Sequence, residues 1–472
     1  MKNKQKKLIP FNSFSNVKTE DNSGFLETAE NVYHDFSGFQ AIYGLSGQGV
    51  IADATFLLGA FDAHRANGSN SRLHLIVTGA TADSYYTLES TMVAGSGSFL
   101  SSTNVDMCQW GQTVIATQAL NNVKHSSVDN AQYIDLGGSP PQSKTCCVVD
   151  DFVILANTYE SSVSYPDRIW NSAINDSAGW TPGTNLCDYD DNPELGDIYK
   201  VVGGEYCTIF ASNGIAVMQR IGGEAGWQVD IKVWHKVSRL FMYGVVKVDN
   251  LIYYATEAGF YVFNGESSKK LGVGKLEGPY GDMVDHNVTD VDIFGAHNPM
   301  NNTIIWSDIQ SPKPHWVYKI DTDEFTTMEI PDSGDYADQI YWWLVPTKAS
   351  ISNLPASISF ISRSNSSPQG LKKWSFDVAS TLTPDLQTGF YELAPNQWAT
   401  ITRIDTIGEG VTSEDIDILS YDDTKTLIDT ITVTETGGSK IRQTGRYFKF
   451  RVQSDFDRFS GLKVEFVARG RR

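Results

Sequence analysis

The sequence predicts an all-β protein: a β-propeller of six or seven irregular blades with a β-sandwich-like domain after it. Three observations carry this. The chain holds 11 Trp, 21 Tyr, 23 Phe and 40 Gly in 472 residues, a composition that favours strands joined by tight turns. Helical periodicity is almost absent, with no convincing amphipathic stretch of about twelve residues. Short apolar runs bounded by Gly, Asn, Asp and Ser recur throughout, several on one plan: a strand, a tight polar turn, a second apolar strand.

The copies run in order over residues 107–117, 146–156, 199–211, 245–255 and 294–306, with a less regular one around Tyr341-Trp-Trp-Leu344. Their starts lie roughly 40–50 residues apart, the period of a four-stranded blade. A third strand fits after two of them, at 214–220 and 259–265, and 315–325 reads as a further hairpin. An earlier unit, 51–90, reads as another blade. One small sheet cannot bury both faces, whereas a ring of sheets packs each on its neighbours. From about Leu386 the pattern changes to long alternating strands. Phe448, Phe450 and Val452 share one face with Lys449 and Arg451 on the other, and Leu462, Val464 and Phe466 repeat the alternation. The expected organisation is an N-terminal arm with a lead-in strand over 1–50, a propeller over 51–375 and a sandwich-like domain over 376–472.

The net charge is -19, from 37 Lys and Arg against 56 Asp and Glu. Such a surface repels phosphate, so a positively charged nucleic-acid clamp is not expected. The charge is uneven: residues 440–472 hold ten basic and three acidic side chains, leaving -26 on the rest. The N-terminus adds Lys2, Lys4, Lys6 and Lys7. These two basic ends read as solvated surface or as docking surfaces for acidic neighbours, with Lys2, Lys4, Lys6, Lys7, Arg446, Arg451, Arg469, Arg471 and Arg472 as the candidate binding residues. No apolar run of about 18 residues is present, so no membrane-spanning segment is expected, and residues 1–12 lack the apolar core of a secretory leader. Cys108, Cys146, Cys147, Cys187 and Cys207 form no disulfide framework and read as reduced thiols, with Cys146 and Cys147 on opposite strand faces.

No catalytic constellation emerges: there is no nucleophile elbow, Walker A loop or zinc-binding His-Glu-x-x-His, and no cofactor is expected. His235, beside Trp234, reads as a packed strand residue. Asp188, Asp190, Asp191 and Glu194 offer hard oxygens within seven residues, a weak calcium candidate that lacks EF-hand spacing; the plainer reading is an acidic surface loop. The segment Asn175-Asp-Ser-Ala-Gly-Trp180 is similar to the Asp-box turn of sialidase propellers, where the carboxylate ties down a hairpin. A sialidase-like or lectin-like propeller is therefore the alternative reading. The aromatic runs at 253–254, 260–263 and 341–343 read as blade core rather than a sugar platform.

Five segments, in order, carry a family resemblance. They are 31–44 with Asp35, Gly38 and Gly44, RIWNSAINDSAGWTP at 168–182, IYKVVGGEYCTIFASNGIAVM at 198–218, DNLIYYATEAGFYVFNG at 249–265, and GRYFKFR at 445–451 with the closing GRR. Together they resemble the tail hub or nozzle protein of short-tailed phages, the packaged-DNA stabilisation family. The resemblance implies a structural, non-enzymatic protein of the virion tail, assembled in the host cytoplasm. It implies a ring of six copies beneath the portal and adaptor rings, lining the DNA exit channel with only non-specific DNA contact. It further implies attachment of tail fibres, spikes or a needle. A negative lumen would let DNA slide rather than stick.

Overall fold

The computed structural model describes residues 4–15, 25–52, 54, 56–66, 71–79, 82–88, 91–101, 103–221, 226–234, 240–276, 293–308, 315–329, 339–347, 357–364, 370–409, 416–433, 441–454 and 456–469. The described residues are almost entirely strand and turn, interrupted by one 3-10 turn at Met242–Gly244. Seven antiparallel units of four strands form the propeller. Blade 1 is Phe56–Ala63, Arg72–Thr78, Ser84–Leu88 and Thr91–Ala94. Blade 2 is Asp106–Trp110, Thr113–Thr117, Lys124–Ser127 and Ile134–Asp135. Blade 3 is Gln142–Val149, Phe152–Glu160, Val163–Asn171 and Asp188–Asp191. Blade 4 is Ile198–Val202, Cys207–Ala211, Gly214–Arg220 and Trp227–Trp234. Blade 5 is Val246–Val248, Leu251–Thr256, Gly259–Phe263 and Ser268–Lys270. Blade 6 is Ile293–Asn298, Thr303–Asp308, His315–Lys319 and Glu324–Met328. Blade 7 is Gln339–Thr347, Ser357–Ser364 and Gly370–Thr381, with Tyr43–Ala52 as its fourth strand.

The recurring hairpins of the sequence are the first two strands of blades 2 to 6. The inner strands of blades 1 to 4 lie side by side in order, as do those of blades 5 to 7, and the inner strand of blade 7 packs on that of blade 1. Between blades 4 and 5 the joint is aromatic: Phe210 and Tyr254 stand 5.0 Å apart in one buried cluster with Ile215 and Phe263. The circle is closed through backbone hydrogen bonds, because Tyr43–Ala52, from ahead of blade 1, pairs antiparallel with the strand that ends at Thr381. The expected propeller limits, 51–375, are thus corrected outward at both ends.

The sandwich is built from both ends of the chain. One sheet orders Gln443–Gly445, Trp398–Glu409, Arg458–Arg469, Gly38–Ala41 and Val32–Asp35, with Gln5–Pro10 also against Arg458–Arg469. The other orders Phe25–Glu30, Asp385–Thr388, Tyr447–Val452, Ile416–Tyr421 and Leu427–Val433, with Ser13–Phe14 beside the first. Alternation gives each sheet one apolar face: Ile9, Ile401, Leu462 and Val464 on one side meet Leu26, Leu386, Phe448 and Phe450 on the other, all at most 0–2% exposed by residue. Within the expected N-terminal arm and lead-in strand, Gln5–Pro10 is a paired strand of the sandwich and Tyr43–Ala52 completes blade 7. Strand pairing across hundreds of residues outweighs the local lysine-rich composition there.

Propeller and sandwich are continuous. Phe25–Glu30 runs parallel to the last strand of blade 6 at Glu30 and Thr327. Their core runs unbroken from the sandwich into Phe260, Trp306 and Trp316 of blades 5 and 6. Asn31 is the hub of this joint. Its backbone N donates to Thr327 O, its carbonyl accepts from Ile42 N, its Nδ2 donates to Thr383 O at 2.9 Å and its Oδ1 accepts from Glu329 N at 2.8 Å. Asn31 sits at φ 60°, a conformation Asn tolerates better than most side chains. Gly38, at φ 140°, lets the next hairpin pass Phe459, whose carbonyl oxygen would lie 2.5 Å from an added Cβ.

Candidate functional site

The predicted basic residues divide by their partners. Lys2, Arg471 and Arg472 lie outside the described residues. Lys7 Nζ donates to Glu392 O at 2.7 Å inside the sandwich. Arg446 is buried, pairs with Glu392 and donates to the carbonyls of Ala394 and Gln397. Arg451 forks onto Asp385, with Nε to Oδ1 at 2.9 Å. Each of these three charges lies beside an acceptor carried by another strand or loop of the same domain, and Arg451 stays 37% exposed by side chain. Arg469 is half-buried at the end of its strand, opposite Trp398.

Lys4 and Lys6 remain at the surface, 62% and 59% exposed by side chain, on either side of Glu465 at 3.7 and 2.9 Å. The hydrogen bond from Lys6, then its charge, holds the Glu465 carboxyl below its ordinary range. Register adds two residues that charge counting missed. Lys6 lies opposite Glu465, which lies opposite Arg403; Leu8 lies opposite Lys463, which lies opposite Asp405. The outward face of this sheet therefore shows Lys4, Lys6, Lys463 and Arg403 against Glu465 and Asp405, a local balance of +2 on a chain of -19. Leu8 and Ile407 are exposed on it. The alternation of Leu462, Val464 and Phe466 already implied that Lys463 points outward.

The weak calcium set does not converge. Asp188–Asp191 is the exposed outer strand of blade 3, and Asp191 gives both oxygens to Arg168, at 2.6 and 2.8 Å. Arg168 is also stacked between Tyr165 and Tyr189, 3.8 and 4.3 Å from the ring centres. The hydrogen bond from Arg168 holds the Asp191 carboxyl down. Among the described residues no group of three or more His, Cys, Asp or Glu is placed to hold a metal ion. The Asp-box-like segment is a turn between the third and fourth strands of blade 3. Asp176 Oδ1 accepts from Ala178 N at 2.9 Å, and Trp180 is buried with Nε1 donating to Ser177 O. Its carboxylate is consumed by its own loop. Tyr253, Tyr254, Phe260 and Phe263 are blade core; the side chains of 341–343 and His235 lie outside the described ones.

Two charge clusters, one buried and one half-buried, went unread in the sequence. Asp106 on the inner strand of blade 2 accepts from Lys200 Nζ of blade 4 at 2.5 Å, and from Thr145 Oγ1 and Cys146 N of blade 3 at 2.7 and 3.2 Å. Three blades thus share one carboxylate. Burial works against the Lys200 charge, but the charge and hydrogen bond of Asp106 outweigh it and the ammonium is held above its usual range.

The second cluster is Glu30 at the propeller–sandwich joint. Burial first, then the neighbouring Glu329 carboxyl, push Glu30 up to about 7 from 4.5. Between those pH values the folded chain holds a proton that the unfolded chain releases. Stability from this group is therefore full below about pH 4.5 and declines as pH rises through about 7. Half-burial screens the effect to about 1–2 kcal/mol. Glu30→Gln is expected to flatten urea-denaturation stability between pH 5 and about 8, and an unchanged slope would remove Glu30 as its source.

No family model matches the chain, and no curated protein matches it. Solved structures similar to it include YCF48 bound to D1 peptide, at 9% identity over 72% of this chain and 100% of that one, with a TM-score of 0.42. BamB from Moraxella catarrhalis is 10% identical over 75% of this chain and 95% of that one, with a TM-score of 0.36. The Pan2 WD40 domain of Neurospora crassa is 7% identical over 73% and 97%, with a TM-score of 0.42. At these scores the likenesses assign no ligand, partner or activity. The protein is a β-propeller with a sandwich on its flank, as its own sheets define. Among the described residues no helix is long and apolar enough to cross a membrane.

Proposed function

We propose that the chain is a structural subunit of a phage tail, a hub or nozzle protein that assembles with copies of itself into a ring around the DNA exit channel. The supporting observation is the basic outward face of Lys4, Lys6, Lys463 and Arg403 on an otherwise acidic chain. A basic face on a chain whose net charge is -19 favours head-to-tail contact between copies, and such contacts make a ring where the rotation between copies closes. The sandwich is fused to blade 6 by strand pairing and a shared core, so each subunit is one stiff wedge. A ring of such subunits carries a strong negative field, which disfavours adhesion of DNA phosphates. Portal or adaptor rings and fibres, spikes or a needle are the partners this role requires.

Mass photometry and electron microscopy of the purified full chain test the reading. The expected result is a closed ring with a pore, at about 0.3 MDa for six 52.1 kDa copies. The double variant Lys6→Glu, Lys463→Glu is expected to shift that species to single chains that keep the far-ultraviolet circular dichroism of the folded wild type. A wild-type monomer, above all one that cleaves a fluorogenic sialoside, would overturn the tail reading in favour of a glycan-acting propeller.

A further inference from the structure

Four of the five cysteines lie where blades 2, 3 and 4 meet. Cys146 and Cys147 are neighbours on the inner strand of blade 3 and serve opposite sides, Cys146 in the core shared with Cys108 and Cys147 in the core shared with Cys207. The Cys147 and Cys207 sulfurs stand 3.7 Å apart across the interface of blades 3 and 4. Both are buried free thiols, 4% and 0% exposed. We propose that Cys147 and Cys207 are a disulfide-forming site that covalently staples blade 3 to blade 4 when the folded protein meets a peroxide.

A disulfide needs its sulfurs about 2.05 Å apart, so the pair must close by roughly 1.6 Å. Two strands of adjacent blades supply that by a small side-chain and backbone adjustment. The Cys146–Cys108 contact is the competing pair, and Asp106 disfavours it. The Asp106 carboxylate accepts from Cys146 N at 3.2 Å, and its charge bears on a thiolate forming at Cys146 more than the opposing Lys200 ammonium does. No carboxylate bears on Cys147; beyond burial, its thiol feels chiefly Cys207. Burial raises the Cys146 and Cys147 thiols and suppresses the reactive thiolate there. The reaction therefore proceeds through brief opening of the blade 3–blade 4 interface and is slow.

The chemistry balances with one hydrogen peroxide. The first Cys sulfur, losing its proton, attacks a peroxide oxygen; the O–O bond breaks, giving a sulfenic acid and one water. The second sulfur attacks the sulfenyl sulfur; the S–O bond breaks, the S–S bond forms, and a second water carries off the remaining proton. Two thiols are oxidised by two electrons and the peroxide is reduced. The staple closes a loop of about sixty residues, and the chain-entropy model converts that into a melting shift of about 4 °C for a chain of this size.

The test treats the full reduced chain with hydrogen peroxide for hours, blocks remaining thiols, and maps crosslinks by mass spectrometry after digestion without reductant. The expected first product joins the peptides of Cys147 and Cys207, leaves three free thiols of the five, and melts about 4 °C higher until dithiothreitol is added. Cys207→Val is expected to abolish the product, and Cys108→Val to leave it intact. Should Cys207→Val fail to fold, the wild-type map alone decides. A first crosslink between Cys108 and Cys146, oxidation to sulfinic acid without a crosslink, or a crosslink with no melting shift would each overturn the proposal.

Discussion

Asp106→Ala is expected to lower the unfolding free energy by about 3 kcal/mol or more, read as a shift of the urea midpoint. The side chain is 6% exposed and its partner Lys200 15%. Removing the carboxylate leaves an ammonium in a largely desolvated site with no opposing charge, and it orphans the Thr145 hydroxyl and the Cys146 amide at once. The second substitution of the cycle separates the pair's worth from the cost of breaking it. Asp106→Asn with Lys200→Met removes both charges while nearly keeping volume and leaves an amide oxygen for the Thr145 hydroxyl and the Cys146 amide; it is expected to recover most of the loss, because a buried ion pair is worth little more than a neutral replacement of the same size. If Asp106→Ala alone cost under about 1 kcal/mol, water would be reaching Lys200 and the three-blade tie would carry little.

The parts legible in the sequence are those whose partners are close in the chain. The hairpins of blades 2 to 6 are announced by tight polar turns, such as Gly111 between Trp110 and Thr113, and their strands pair with the next strand along. Alternation fixed which face of Tyr447–Val452 is core, since Phe448 and Phe450 have no polar atoms to satisfy. The closing strand was hidden because nothing in Tyr43–Ala52 specifies that it pairs with Gly370–Thr381. The same holds for Leu8 opposite Lys463, or Glu30 beside Thr327. Charge was readable at Arg446 and Arg451, but charge names no partner, and Glu392 and Asp385 lie 54 and 66 residues away. A basic residue therefore reads as surface until pairing is known, whereas here Arg446 is buried and Arg451, on the outward face, is tied to Asp385. Lys463 and Arg403 went unread for the opposite reason, since only register places them beside Lys6.

Deletion of residues 1–41 separates a paired N-terminus from a free arm most sharply. A free arm could be removed with no loss of stability. Here the deletion takes Gln5–Pro10, Gly38–Ala41 and Val32–Asp35 from one sheet of the sandwich and Phe25–Glu30 from the other. With them go Ile9, Phe11, Leu26, Ala29, Val32 and Phe39, each at most 1% exposed, and Phe14 at 5%. At about 1.5–3 kcal/mol for each large apolar side chain, the lost burial is on the order of 10 kcal/mol, comparable with the whole stability of a typical domain. The two sheets would then face each other across a void, and the bridge from Glu30 to blade 6 would be gone. The expected outcome is a chain whose residues 382–472 are cleaved rapidly in limited proteolysis while the blades, which retain Tyr43–Ala52, resist. Phe39→Ala is the milder form, at about 3–5 kcal/mol, since the ring is fully buried. A truncated chain that melted with the intact one would show that the C-terminal strands hold the sandwich alone.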